Sequence, residues 1–292
     1  MWMAGILLLS SCSVKEDRSG CPCWMTVDLS KVAESRWKSP ERQNSTEYQM
    51  VTKSLESRQH IAESVVLRLR GNSDEDEVDY AFKMTETVNT EVGALEYEVP
   101  RGAVGVSAVA LGNEIPGQAG YDGIAGYDWD EIRIPVGEQM DSLYGFFKMY
   151  HTRCESVLCD VDLHKEFCTV SFTLGKDGYT SPYDIEVWGN VAGVSAWDLM
   201  PVKGDFRYAP VQKNGVSQVR VPRQEDNSLE LVMLDDDDIV DRLPLGEYIA
   251  RSGYDWTAED LADVNVALDL EMQQVMITVS GWDGVVVMDI VI

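Results

Sequence analysis

The residues best suited to do chemistry stand at the start of the chain, in the run Leu9, Ser10, Ser11, Cys12. An apolar stretch, Trp2 to Leu9, leads into them, and the charged residues Lys15, Glu16 and Asp17 follow. That order fits the lipobox of a bacterial lipoprotein. The peptidase needs small residues before the cut between Ser11 and Cys12, and the cysteine supplies a thiol for a diacylglycerol and, once freed, an amine for a third acyl chain. A membrane span needs about 20 apolar residues, so the run is too short to cross a bilayer itself. Residues 1–11 are expected to be a signal peptide and 12–23 a lipidated tether, with Cys12 as the attachment point. One feature departs from the pattern, since nothing before Cys12 is charged whereas a signal peptide ordinarily opens on Lys or Arg. Each buried CH₂ contributes about 0.8 kcal/mol, so two or three acyl chains hold durably where one holds marginally. Lys15, Glu16 and Asp17 are similar to the short tag that directs some lipoproteins to the cell surface.

The remaining reactive side chains form no recognisable centre. His60, His151 and His164 are scattered and belong to no nucleophile or zinc motif. With Cys12 lipidated, Cys21, Cys23, Cys154, Cys159 and Cys168 remain, an odd set in an oxidising compartment, and they read as buried or loop thiols with room for one disulfide. The tract Asp235 to Asp238 lacks the spaced ligands and glycine of a calcium loop and reads as a solvated turn. The glycine-rich segment around "GQAGYDGIAGYDW" has no phosphate-loop lysine. Trp188, Trp197, Trp256 and Trp282 are candidates for core packing or for a sugar-stacking surface. No catalytic residue, metal or cofactor is expected, and the chain is not read as an enzyme. A formal charge of −26 opposes nucleic acid and anionic lipid alike, so contact with a membrane has to come from the N-terminal lipid.

The elements that must carry these residues are strands. At 292 residues and 45% hydrophobic content the chain can build real cores. Trp24 to Leu29, "SVVLRLRG", "VDYAFKM" and "LEYEVPRG" alternate as half-buried strands do, and "VGVSAVAL" is apolar throughout. "SVLCDVDLH", "FCTVSFTLG", "YDIEVWG", "SQVRVP" and "LELVML" repeat the style further on. Residues 31–59 read as a long polar loop. "TAEDLADV" reads as a helix, with Thr257 as N-cap and Asp260 three residues later. The echoes "GYDW" and "VPR", each occurring twice, agree with two similar β-sandwich domains over 24–150 and 151–292. The last segment, Val285, Val286, Val287, Met288, Asp289 and Ile290, carries a single charge and must be covered. Either it closes its own sheet, with Val285, Val287 and Asp289 on one face and Val286, Met288 and Ile290 on the other, or it pairs with another subunit.

The set "CSVKEDRSGCPCWMTVDL", "DSLYGFF", "LPLGEYI", "GYDW", "DLADVNVALDLE" and "VMITVSGW", in this order, resembles the fimbrillin-associated anchor lipoproteins of Bacteroidales, minor subunits of surface fimbriae. The resemblance implies an all-β chain of two tandem transthyretin-like, Greek-key β-sandwich domains. It also implies an outer-membrane lipoprotein that fixes a fimbrium to the cell and limits its length, with fimbrial subunits as partners. The extra cysteines and the long polar loop depart from that pattern. The competing reading is a surface lipoprotein that binds glycans for nutrient uptake, which would need exposed, coplanar aromatic rings.

Overall fold

A computed structural model describes residues 23–32, 64–72, 82–89, 92–111, 130–152, 156–174, 183–213, 215–236, 238–269, 274–280 and 285–289. The expected signal segment, the expected tether up to residue 22 with Cys12, Lys15, Glu16 and Asp17, residues 33–59 of the expected polar loop, and Ile290 lie outside these residues. The described chain is all-β apart from one short helix. Its first part contains β1 (Cys23–Asp28), β2 (Ser64–Asn72), β3 (Phe82–Asn89), β4 (Ala94–Val99), β5 (Gly102–Leu111), β6 (Glu131–Arg133), β7 (Leu143–Thr152), β8 (Ser156–Asp160) and β9 (His164–Lys165). Then come β10 (Phe167–Leu174), β11 (Asp184–Ser195), β12 (Pro201–Tyr208), β13 (Val216–Pro222), β14 (Glu230–Asp235), β15 (Asp238–Leu243), α1 (Leu245–Arg251), β16 (Val264–Asp269), β17 (Gln274–Val279) and β18 (Val286–Asp289).

Four sheets result. A three-stranded sheet, β4-β1-β8, faces a five-stranded one, β3-β2-β5-β7-β9, across a core that includes Met25, Val27, Leu67, Leu69, Val106 and Cys159. The second pair, β12-β11-β14-β15 and β13-β10-β16-β17-β18, encloses Phe172, Val187, Leu231, Val266 and Ile277. Each fully buried Leu or Phe contributes about 1.5–3 kcal/mol, which is the main source of cohesion. Alternation explains the edges of these layers: in β1, Cys23, Met25 and Val27 are buried while Trp24 is exposed. The run Val104 to Ala110 is buried throughout because both of its faces are covered. Val104, Val106, Ala108 and Ala110 face the first core, and Gly105, Ser107 and Val109 face the second half of the chain.

That second contact is a lock. The turn between β11 and β12 lays Trp197 over Gly105, where a Cβ would stand 2.5 Å from the indole Cζ2, and Leu199 over Gly145, where it would stand 2.6 Å from Cδ1. Only glycine permits so close an approach. Phe147 meets Trp197 edge-on at 5.3 Å and the Arg70 guanidinium lies 4.7 Å from the indole. The buried Arg68 and Ser107 both donate to the carbonyl of Ala196, at 3.2 and 3.0 Å.

Two expectations need correction. The strands do not divide at residue 150: β8 and β9 lie beyond it yet pair with β1 and β7, and β6 lies before it yet pairs with β11. Pairing partners this far apart in sequence leave no local pattern, and β8 returns parallel to β1. No helix starts at Thr257. Its amide and hydroxyl bond to Asp255, Asp260 is held by the amide of Lys165, and Arg223 takes the carbonyls of Trp256 and Ala258, so the segment is tied down as a loop. The helix instead is α1, just after Pro244, which supplies a fixed φ at its entry. In the aspartate tract Asp235 and Asp238 pair across the β14–β15 connection and Asp236 has φ +53°, all three exposed, in keeping with the solvated turn expected there.

Candidate subunit-pairing edge

Strand β18 lies at the edge of its sheet, antiparallel to β17, with Val275 opposite Met288, Met276 opposite Val287 and Ile277 opposite Val286. Met288 is buried in the second core and Val286 packs against it, while Val285 and Val287 are 56% and 54% exposed. The alternation is the one expected, and within this chain the segment closes its own sheet. Among the described residues nothing pairs with the outer edge of β18.

The other edges of the same sandwich are blunted. At β13 the outward main chain of Arg220 is occupied, its amide donating to Gln139 Oε1 at 2.9 Å and its carbonyl accepting from the amide of Met140 at 3.1 Å. Strand β15 carries a bulge at Val240, between the pairs Met233–Asp241 and Leu234–Ile239, with aspartates at 238 and 241 beside it. Strand β12 presents Lys203, Asp205 and Arg207. Bulges and charges are how sheets prevent unwanted pairing. Strand β18 has a regular register and one charge, Asp289, so it is the edge left fit to accept another strand.

The other candidates resolve differently. The indole of Trp188 has Arg207 at 3.7 Å and Arg242 at 4.7 Å from its ring, and its Nε1 donates to Glu186. Trp197 is part of the lock, Trp256 packs edge-on against Tyr254 at 4.6 Å, and Trp282 lies outside the described residues. The three described rings form no common surface on which a sugar could stack. Cys159 and Cys168 are buried free thiols, and burial pushes them up to about 11 and about 12; Cys23 is buried as well. His60 is outside the described residues and His151 is exposed on β7. Among the described residues no group of three or more His, Cys, Asp or Glu is arranged to hold a metal ion, and no helix is long and apolar enough to cross a membrane.

His164 sits where β9 meets the second half, its Nδ1 3.5 Å from Asp260 Oδ2. Beside it Lys165 pairs with Asp263, and Glu166, also buried, pairs with Arg223 at 3.1 Å. The hydrogen bond to Asp260 raises the His164 pKa, burial works against it, and Asp260, Glu259 and Asp162 add further attraction for the proton. A folded-state pKa above the unfolded value of about 6.5 means the contribution is full below that value and lost as pH rises through the folded pKa. The pair is partly exposed, so the contribution is under about 1 kcal/mol. Melting temperature is expected to fall between pH 6 and pH 8, and to fall less in His164→Gln; parallel curves for the two proteins would contradict the assignment.

No protein-family model and no curated protein matches the sequence. Solved structures do. A candidate polysaccharide-binding protein of Bacteroides thetaiotaomicron is 14% identical with a TM-score of 0.53, the match covering 91% of this chain and 98% of that one. The fimbrial anchor protein Mfa2 of Porphyromonas gingivalis is 11% identical with a TM-score of 0.53, covering 90% of this chain and 98% of that one. The chain has the fold of the fimbrial anchor. A candidate adhesin of B. thetaiotaomicron is also similar, at 14% identity and a TM-score of 0.50 over 76% of this chain and 89% of that one. The fold class that the resemblance implied, all-β and built of packed sheets, is thus the one observed. The C-terminal pieces of the resemblance gather in one place: Leu245, Tyr248, Ile249, Tyr254 and Leu261 all enter the second core, and the Tyr254 hydroxyl donates to the carbonyl of Ala262 at 2.7 Å.

Proposed function

We propose that this protein is an outer-membrane lipoprotein at the base of a surface fimbrium, tied to the membrane through acyl chains on Cys12 and to a fimbrial subunit through a strand added at β18. The reading rests chiefly on one observation: β18 is a regular, nearly uncharged edge in a sandwich whose other edges are bulged, charged or occupied. Strand addition draws its affinity from main-chain hydrogen bonds along such an edge. The fold shared with the fimbrial anchor over nearly the whole chain supports the same reading. An anchor of this kind also limits filament length, because a growing fimbrium that meets it is fixed and stops. Each pair of sheets, with its own core, is proposed to be a transthyretin-like domain, and Lys15, Glu16 and Asp17 to carry the lipoprotein to the outer surface. The role is structural and requires no catalysis.

Lysines at positions 285 and 287 would charge the outward face of the edge without touching the core. A Val285→Lys/Val287→Lys protein is expected to melt within about 2 °C of the wild type, as surface changes do, while cells making it shed their fimbriae. Fimbriae retained at the wild-type level would remove β18 from the account.

A further inference from the structure

Among the described residues nothing covers the outward face of the three-stranded sheet, whereas the Trp197 turn covers that of its partner sheet. At its centre Trp24 and Leu158 are 46% and 61% exposed. The register makes them diagonal neighbours, since Leu158 stands opposite Thr26 and Trp24 opposite Ser156. Carboxylates border them on two sides: Glu98 opposite Trp24, Glu96 opposite Thr26, and Asp28 opposite Asp160. The outward positions of β1, β4 and β8 contain no Lys or Arg, and at one end Lys31 pairs with Asp160 at 3.7 Å. A large aromatic ring and a leucine, side by side and bordered by carboxylates, have the make-up of a contact surface rather than of a solvated sheet face.

We infer that this face binds a second protein, one that presents an apolar socket for Trp24 and Leu158 rimmed by Lys or Arg. The charges decide between occupants. Anionic headgroups would be repelled by the four carboxylates, and a second copy of a chain with a net charge of −26 would be repelled still more. A basic-rimmed protein surface gains from every one of them, in encounter rate as well as register. The face belongs to the first sandwich and β18 to the second, so the two contacts do not compete and the inference stands apart from the strand-pairing reading.

A benzophenone amino acid placed at position 158, and separately at the exposed position 211 in the second half, tests this by irradiation of intact cells making the full chain. The expected result is a discrete protein adduct from position 158 and not from 211. Its yield falls about tenfold or more in Trp24→Ser, as for loss of a central aromatic anchor, and likewise in Glu96→Lys/Glu98→Lys. The adduct persists in Val285→Lys/Val287→Lys, which separates failure here from failure at β18. No adduct from position 158, an adduct to lipid only, the same adduct from 211, or a yield indifferent to the charge reversal would each overturn the inference. The glutamates are exposed, so the charge-reversal protein keeps the test decisive if Trp24→Ser does not fold.

Discussion

Trp197→Ala is expected to cost about 3–5 kcal/mol, the range for emptying a buried tryptophan site. The ring fills the space that Gly105 leaves open, meets Phe147 edge-on and supports the Arg70 guanidinium. Nothing nearby can collapse into the gap, because Gly105 belongs to a central strand held on both sides by β2 and β7. Loss of the ring also weakens the seating of Ala196, whose carbonyl receives Arg68 and Ser107. Denaturant unfolding should therefore show two steps as the two cores come apart, where the wild type shows one. Val211→Ala, at an exposed site, should change stability by no more than about 0.5 kcal/mol. A loss below about 1 kcal/mol in Trp197→Ala, with unfolding still in one step, would mean that the lock is not what joins the halves.

The second large effect belongs to the N-terminus. With Cys12→Ala the thiol proposed to accept the diacylglycerol is gone, and no helix among the described residues can substitute as a membrane span. The protein is expected to leave the membrane fraction almost completely and to be recovered in soluble form, with its signal segment uncleaved. Partition of cell fractions with detergent measures this. Membrane association at the wild-type level would mean that something other than lipid on Cys12 holds the chain.

Much of the architecture was legible in single strands. The alternation in Cys23, Met25 and Val27, in Cys168, Val170, Phe172 and Leu174, and in Val286 and Met288 states which side chains are buried, because a strand exposes its two faces in turn. What joins strands was not legible. The parallel return of β8 onto β1, and the short β6 beside β11, depend on partners far along the chain and on no local signal. The segment after Thr257 has the spacing of a capped helix, yet Arg223, just past the end of β13, claims the carbonyls of Trp256 and Ala258. At the site, the apolar run from Val285 is visible in sequence, but that β13 and β15 are closed and β18 open follows only from Gln139 reaching Arg220 and from the bulge at Val240. The proposed lipobox is the opposite case: the reading of Leu9 to Cys12 rests on residue order alone, independent of any fold.

The anchoring role is tested most directly by removing the whole chain from its cell and comparing fimbriae on the surface with those in the medium by electron microscopy. The account predicts fimbriae longer than normal and mostly shed, with both length and attachment restored when the wild-type chain is supplied again. Fimbriae of ordinary length that stay on cells lacking the protein would contradict it.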